Sequence, residues 1–245
     1  MNLHKIEPIK PLMREMDMTN QTHKEKMQEA KKIYFMEDFR AFMRKMQGLT
    51  DEDFQAPVPR IKEKILSATE KDPLEMFERI MREVESEWDR PSPLPMNSDW
   101  HHFIVPGVIV SSLRNNGYPI TDREVEEAVR RGQKFAGGSC GFTGVCGGAN
   151  SFGIVLSLLK KTNPLHDEAR SENLRLVGEV LKEISRYPRR CCKRSSYIAI
   201  EKAVAYLRDN GFERIPVSRI VCQWSAKNRM CFGAKCPYFP KKGEH

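Results

Sequence analysis

The chain contains no run of about 18 apolar residues, so no membrane-spanning helix is expected. Its opening, residues 1–9, mixes charge with isolated apolar residues and lacks the apolar centre of a signal peptide, which makes the cytoplasm the expected compartment. No C-x2-C pair occurs anywhere, so the usual paired-ligand pattern of a structural zinc site is missing. No Gly-Lys-Ser/Thr follows the glycine-rich stretch, which removes the phosphate loop, and no strand precedes that stretch, which argues against a dinucleotide fold. Alternating apolar residues are scarce, with residues 214–221 the one weak strand candidate, and no internal repeat is visible. Seven cysteines, an odd number in a compartment expected to be reducing, make a poor disulfide framework. Metal binding, catalysis or burial must account for them.

With 40% hydrophobic and 30% charged residues, the 245-residue chain reads as one large or two smaller soluble domains with an ample core. The net charge of +8 is unevenly placed. Residues 1–100 hold 17 Lys+Arg against 20 Asp+Glu, and residues 101–245 hold 24 against 13. All seven cysteines fall in the basic part, while eleven of twelve methionines lie at or before Met96. The proline-rich segment Arg90–Pro95 marks the step in composition. We therefore read 1–95 as a Met-rich helical N-terminal region and 96–245 as a basic cysteine-rich domain carrying the metal or active site.

Apolar spacing of three and four residues predicts helices in most of the chain. The first runs from His23 to Met46, after residues 1–20, which show no period. Phe54–Leu66 follows, weakened by Pro57 and Pro59, and then Pro73–Trp88, where Pro73 suits a first turn. A helix through Phe103–Leu113 is expected to have Pro106 near its start and to stop at Asn115-Asn116-Gly117. Thr121-Asp122-Arg123-Glu124 reads as a capping box. Further helices are expected over 150–161, 167–186 and 194–210. The fold class is mostly α, with a Gly-rich loop and an irregular C-terminal tail.

The Gly-rich loop is Gly137–Gly153, with seven of the chain's 15 glycines in 17 residues. Such density allows positive φ and close approach to the main chain, and a following helix aims free N–H groups back into the loop. Gly137, Gly138, Gly147 and Asn150 are the candidate substrate cradle, and tight helix–helix contact through small residues is the plain alternative. The loop carries Cys140 and Cys146. A vicinal pair, Cys191-Cys192, stands between Arg189-Arg190 and Lys193-Arg194, and the tail carries Cys222, Cys231 and Cys236, the last followed by Pro237. Soft thiolates in irregular backbone suit an iron–sulfur cluster or zinc. The tail cysteines with one of the vicinal pair, written here as Cys192, form the candidate metal set. The other, Cys191, is left free beside cations and a helix start, a setting that lowers a thiol pKa. Cys140, Cys146 and Cys191 are then candidate catalytic thiols, and Lys193 and Arg194 candidate anion-binding groups. His101 and His102 enter a helix, where His102 is a candidate general base.

Together, Cys140-Gly141-x-x-Gly144-x-Cys146-Gly147, Arg190-Cys191-Cys192-Lys193-Arg194 and Cys222-x8-Cys231-x4-Cys236-Pro237 resemble an uncharacterised cysteine-rich domain family of anaerobic bacteria and archaea, sometimes joined to methyltransferase-like domains. The resemblance covers residues 100–239 and implies an anaerobic setting, which favours an oxygen-sensitive cluster, and it adds weight to a role for the His101-His102 pair. The expected function is an iron–sulfur enzyme, with a [4Fe–4S] cluster, performing redox or sulfur-transfer chemistry on a small anionic or nucleotide-like substrate. A zinc-stabilised module binding RNA or protein is the first alternative, RNA being the less favoured partner. An iron–sulfur carrier that docks a protein partner through its Met-rich helices is the second.

Overall fold

The computed structural model describes residues 22–241. The stretch 1–20, read above as lacking a period, lies outside them. The fold is mostly α, and no strand occurs among the described residues, so the weak candidate at 214–221 is an irregular segment. Pro216 lies within it, and Ser218 is tied to side chains of a helix and its cap, Glu75 and Asp72, rather than paired in a ladder. The chain divides into a unit ending at Glu52 and a unit beginning at Asp53. The step in composition at Arg90–Pro95 falls inside the second unit.

The first unit holds α1 (His23–Ala30) and α2 (Met36–Gln47). The single helix expected over 23–46 is in fact two, separated by a break at residues 31–35. The reason lies in burial. Folding α2 back on α1 brings Ala30 and Phe42 into one small cluster with Ile33, Phe39, Met43 and Met46, which one straight rod would leave in water. A capping box between Thr22 and Glu25 starts α1, and Gly48, at φ +67°, ends α2 in the left-handed region open to glycine.

A short helix α3 (Asp51–Gln55) precedes α4 (Val58–Leu66), with Pro57 as the cap residue between them and Pro59 in the first turn of α4. Helix α5 (Pro73–Ser86) is capped by Asp72, whose Oδ1 accepts from Leu74 N at 2.8 Å. The other oxygen, Oδ2, accepts from Ser218 N in the tail. Asp72→Ala therefore loses a cap worth about 1 kcal/mol together with a tether. Its melting temperature is expected to fall by roughly 2–4 °C per kcal/mol for a protein of this size.

The second unit is built around α6 (Trp100–Asn115), where every residue from Trp100 to Leu113 is buried. A helix apolar on all sides belongs in an interior, and α4, α5, α7 (Asp122–Gln133), α9 (Gly147–Leu159) and α11 (Cys192–Arg208) surround it. A single-turn helix, α8 (Ser139–Phe142), stands between α7 and α9, and α10 (Asp167–Ser185) covers α9 and α11. Pro106 is in the body of α6, not near its start. It has no N–H for the carbonyl of His102, and that carbonyl accepts instead from Ser151 Oγ of α9 at 3.2 Å. At the same point α7 crosses. A methyl at Gly132 would overlap His102 O and stand 2.5 Å from Phe103 Cα. A glycine and a serine thus let three helices meet at one kinked carbonyl. Beyond α11 the tail is irregular apart from a 3-10 turn, Gly233–Lys235.

Candidate metal and thiol centre

Three helix starts converge. The first turn of α9 lies against α6, because a methyl at Gly147 would fall inside the His102 ring. It also lies against α11, because a methyl at Gly148 would stand 2.8 Å from Ser195 O. In these two glycines the loop serves close helix packing, the plain alternative of the sequence reading. The cap residues of α6 and α9 make no side-chain cap hydrogen bond, Asn97 takes the first N–H of α11, and the positive dipole ends of these helices face one region. Helix α9 begins at Gly147 and α11 at Cys192, each a few residues earlier than apolar spacing predicts.

The start of α11 divides the cysteines. Cys191, its cap residue, faces the tail. There Cys191, Cys222, Cys231 and Cys236 line one cavity with Asn228, Tyr197 and Tyr238. Cys192 faces the other way, toward Arg190, Cys146 and Cys140. Cys191, and not Cys192, is therefore the member of the pair that lines the cavity of the tail cysteines. Consecutive residues entering a helix project in different directions, so only one can reach the tail.

Donors aim at the sulfurs of the tail set. Asn228 Nδ2 donates to Cys191 Sγ and Gly233 N to Cys231 Sγ, each at 3.4 Å. The Trp224 backbone amide bonds Cys222, and the Tyr197 hydroxyl, whose proton goes to Glu78, lies beside the same sulfur. Two backbone contacts shape the wall, Cys222 N to Tyr238 O at 2.7 Å and Cys231 N to Asn228 O at 2.8 Å. The space enclosed is about 10 Å³, room for about one water. Among the described residues, no three His, Cys, Asp or Glu side chains gather in the arrangement that holds a single ion. The four sulfurs ring a cavity without being drawn to a point.

Burial governs the thiols. It pushes Cys192 up to about 11 against the pull of Arg190, and pushes Cys222 up to about 11 against its hydrogen bonds. Burial also raises Cys191, which the Arg194 amide and charge only partly offset. The depressed pKa expected for the vicinal pair is thus overturned, because loss of water outweighs the cations.

Of the flanking cations, Lys193 and Arg194 are interior groups, Arg190 is half-buried and Arg189 is exposed. Lys193 is wholly buried, with Nζ 4.5 Å from the Trp224 ring centre and 5.5 Å from that of Phe77. That ammonium has no hydrogen-bond partner, and burial lowers its pKa to about 8 despite Glu78 and the thiols. Arg194 is also buried, stacked 4.8 Å from the Tyr187 ring centre and donating to the carbonyls of Tyr187 and Arg189. Its Nε, like that of Arg190, is sealed and unpartnered.

Glu78 escaped the sequence reading. It is buried, accepting from the Tyr197 hydroxyl and from Trp224 Nε1 at 3.0 Å. The available signal was its register, since it shares the apolar stripe of Leu74, Phe77 and Met81 on α5. Asn228 and Asn97 gave no such signal. Asn97 Oδ1 accepts from Cys192 N at 3.0 Å.

His102 packs on Gly147, and its Nδ1 donates to Phe135 O at 2.9 Å. His101 is buried with Nδ1 3.1 Å from Ser98 O, and its Nε2 is unpartnered. Burial lowers both pKa values, that of His101 strongly, with the Lys193 charge adding to the effect. Both rings are neutral in the fold, while the unfolded chain takes up protons near the ordinary value of about 6.5. Stability is thus full above that value and falls as pH drops below it. His101→Asn, which keeps a donor for Ser98, is expected to flatten the fall between about pH 7 and about pH 5 in denaturant titrations.

The remaining candidates are spread over the loop. Cys140 is exposed, Cys146 caps α9, Asn150 is half-buried in the first turn of α9, and Gly138 takes φ +90°. Gly137 lies beside Asp99.

The family model described as "Family of unknown function (DUF5714)" matches residues 61–239. No curated protein and no solved structure matches the chain. No helix among the described residues is long and apolar enough to cross a membrane.

Proposed function

The chain belongs to this family of unknown function, and we propose from its own residues that it is an iron–sulfur protein whose cluster is held by Cys191, Cys222, Cys231 and Cys236. The four-thiolate donor set is that of a [4Fe–4S] centre, and the activity is redox or sulfur-transfer chemistry on a small anionic substrate.

One observation carries the reading: four cysteines line a single cavity beside buried cations that lack an anion. Lys193 and Arg194 each have a sealed, unpartnered nitrogen, and Glu78 is the buried carboxylate that faces Lys193. Neutral thiols leave this charge uncompensated, which a protein interior tolerates poorly. Four metal-bound thiolates carry more negative charge than the metal they hold neutralises, and they would supply the missing anion. The donors on Cys191, Cys222 and Cys231 fit the same role, since hydrogen bonds to ligating sulfur tune its charge and the potential of the centre. When bound, the cluster supplies electron transfer. The chain's own residues hold it, exclude water with Tyr197, Phe232, Tyr238 and Phe239, and balance its charge.

A second reading, a structural zinc ion on the same four thiols, needs less room than a cluster in a cavity of this size, and binding would have to draw the four sulfurs to a point. Anaerobic purification followed by iron, sulfide and zinc analysis separates the two. The iron–sulfur reading expects a brown protein with about four iron and four acid-labile sulfide per chain. Stoichiometric zinc without sulfide would replace it by the zinc reading, and neither metal would end both.

A further inference from the structure

The tail centre uses four cysteines and leaves Cys140, Cys146 and Cys192. These three surround Arg190, whose strongest charge neighbours are their thiols. The Nε of Arg190 is sealed from solvent and has no hydrogen-bond partner. Cys146 is the cap residue of α9, and its side chain makes no cap hydrogen bond. Cys192 opens α11, and the abutting first turns of α9 and α11 bring these two helix starts together. Exposure decreases from Cys140, which is open to solvent, to Cys146 and Cys192, which are half-buried. An accessible thiol, further thiols behind it and a cation that bonds Cys192 yet keeps an unanswered Nε form a site that no comparison assigns.

We propose that Cys140, Cys146 and Cys192 form a thiol–disulfide exchange site for a small anionic disulfide, anchored by Arg190 and the open start of α9. The thiolate of Cys140 attacks one sulfur of the bound disulfide, the substrate S–S bond breaks, and the first thiol leaves with the proton that Cys140 gave up. A second protein thiol, Cys146 or Cys192, then attacks the Cys140 sulfur of the mixed disulfide. The second substrate thiol leaves with its proton, and an intrachain disulfide remains. Two protein thiols are oxidised, one substrate disulfide is reduced to two thiols, and no further reactant is needed. Carrying a sulfur atom takes one cysteine, whereas closing a disulfide takes at least two, and this site has three. The inference rests on the reading above in one respect, that the tail cysteines belong to the metal centre and are not the reacting thiols.

The test uses the full chain purified anaerobically with its metal. It is treated with glutathione disulfide, which is anionic, and in parallel with 2-hydroxyethyl disulfide, which is neutral. Peptide mapping without reduction is expected to find a disulfide within the set Cys140, Cys146 and Cys192, two reduced glutathiones released per chain, and the tail cysteines unlinked. Arg190→Met is expected to slow the reaction with glutathione disulfide roughly tenfold, about the effect of one charge-assisted hydrogen bond, and that with the neutral disulfide by less than about twofold on the same reasoning. Links confined to the tail cysteines, mixed disulfides that never close, or equal slowing of both probes would overturn the proposal. The wild-type map decides the matter even if the arginine variant folds poorly. A chain that closes this disulfide yet holds no metal sinks the metal reading alone, and a chain that keeps its metal but never closes the disulfide sinks this one alone.

Discussion

Cys231→Ser is expected to reduce bound metal to less than about a tenth of the wild-type content, because a serine oxygen is a poor ligand for a soft thiolate site. It is also expected to loosen the tail around the site, since metal binding and local folding are coupled. The outer anchors of the tail do not depend on metal. Ser218 bonds Asp72 and Glu75, Trp224 bonds Glu78, and Lys227 pairs with Glu85 at 2.6 Å, all carboxylates on or capping α5. Between Asn228 and Tyr238 the anchors are backbone contacts, the Gly233 turn, the thiols and a few side-chain contacts, among them Arg189 to Cys231 O and the Tyr238 hydroxyl to Glu201. Limited trypsin digestion should therefore cut the variant near Arg229 and Lys235 while far-ultraviolet dichroism stays unchanged. A variant that retains its metal and resists cleavage would remove Cys231 from the centre.

Gly132→Ala is expected to cost about 3 kcal/mol or more, at or above the upper end of overpacking penalties. The added methyl meets main chain, His102 O and Phe103 Cα, and neither can turn aside as a side-chain tip can. The expected fall in melting temperature is roughly 6–12 °C. Gly178→Ala is the matched control. It lies within α10 with nothing within 4 Å of the new methyl, and it is expected to stabilise by about 0.5–1 kcal/mol through helix propensity. Thermal melts of the two variants should move in opposite directions. If Gly132→Ala melts with the wild type, the crossing of α6 and α7 is looser than described. Gly147→Ala should fall between them, since the His102 ring can shift where a backbone cannot.

The helices were legible because their signals are local. The Thr121–Glu124 capping box, Pro73 at a first turn and Gly117 after α6 all act within a few residues. Pro106 misled for the same reason. Its carbonyl partner is satisfied by Ser151, which is 49 residues from His102 and adjacent only in the fold. The break between α1 and α2 has no glycine or proline to announce it and follows from burying Ala30 against Phe42. In the site, spacing pointed to the tail thiols and to one of the vicinal pair. Which of the two it is depends on the direction Cys191 and Cys192 take at the start of α11, and no spacing records that. Lys193 and Arg194 looked like part of a solvated face because charge in sequence carries no burial. Lys193 is enclosed by Trp224 and Phe77, which come from opposite ends of the chain.

Metal content of Cys191→Ser and Cys192→Ser, purified side by side without oxygen, tests the central claim most directly. The arrangement described here predicts that Cys191→Ser loses most of its metal and that Cys192→Ser keeps it at the wild-type level. Loss in Cys192→Ser with retention in Cys191→Ser would contradict it, and equal retention in both would mean that the tail cysteines hold no metal with the help of this pair.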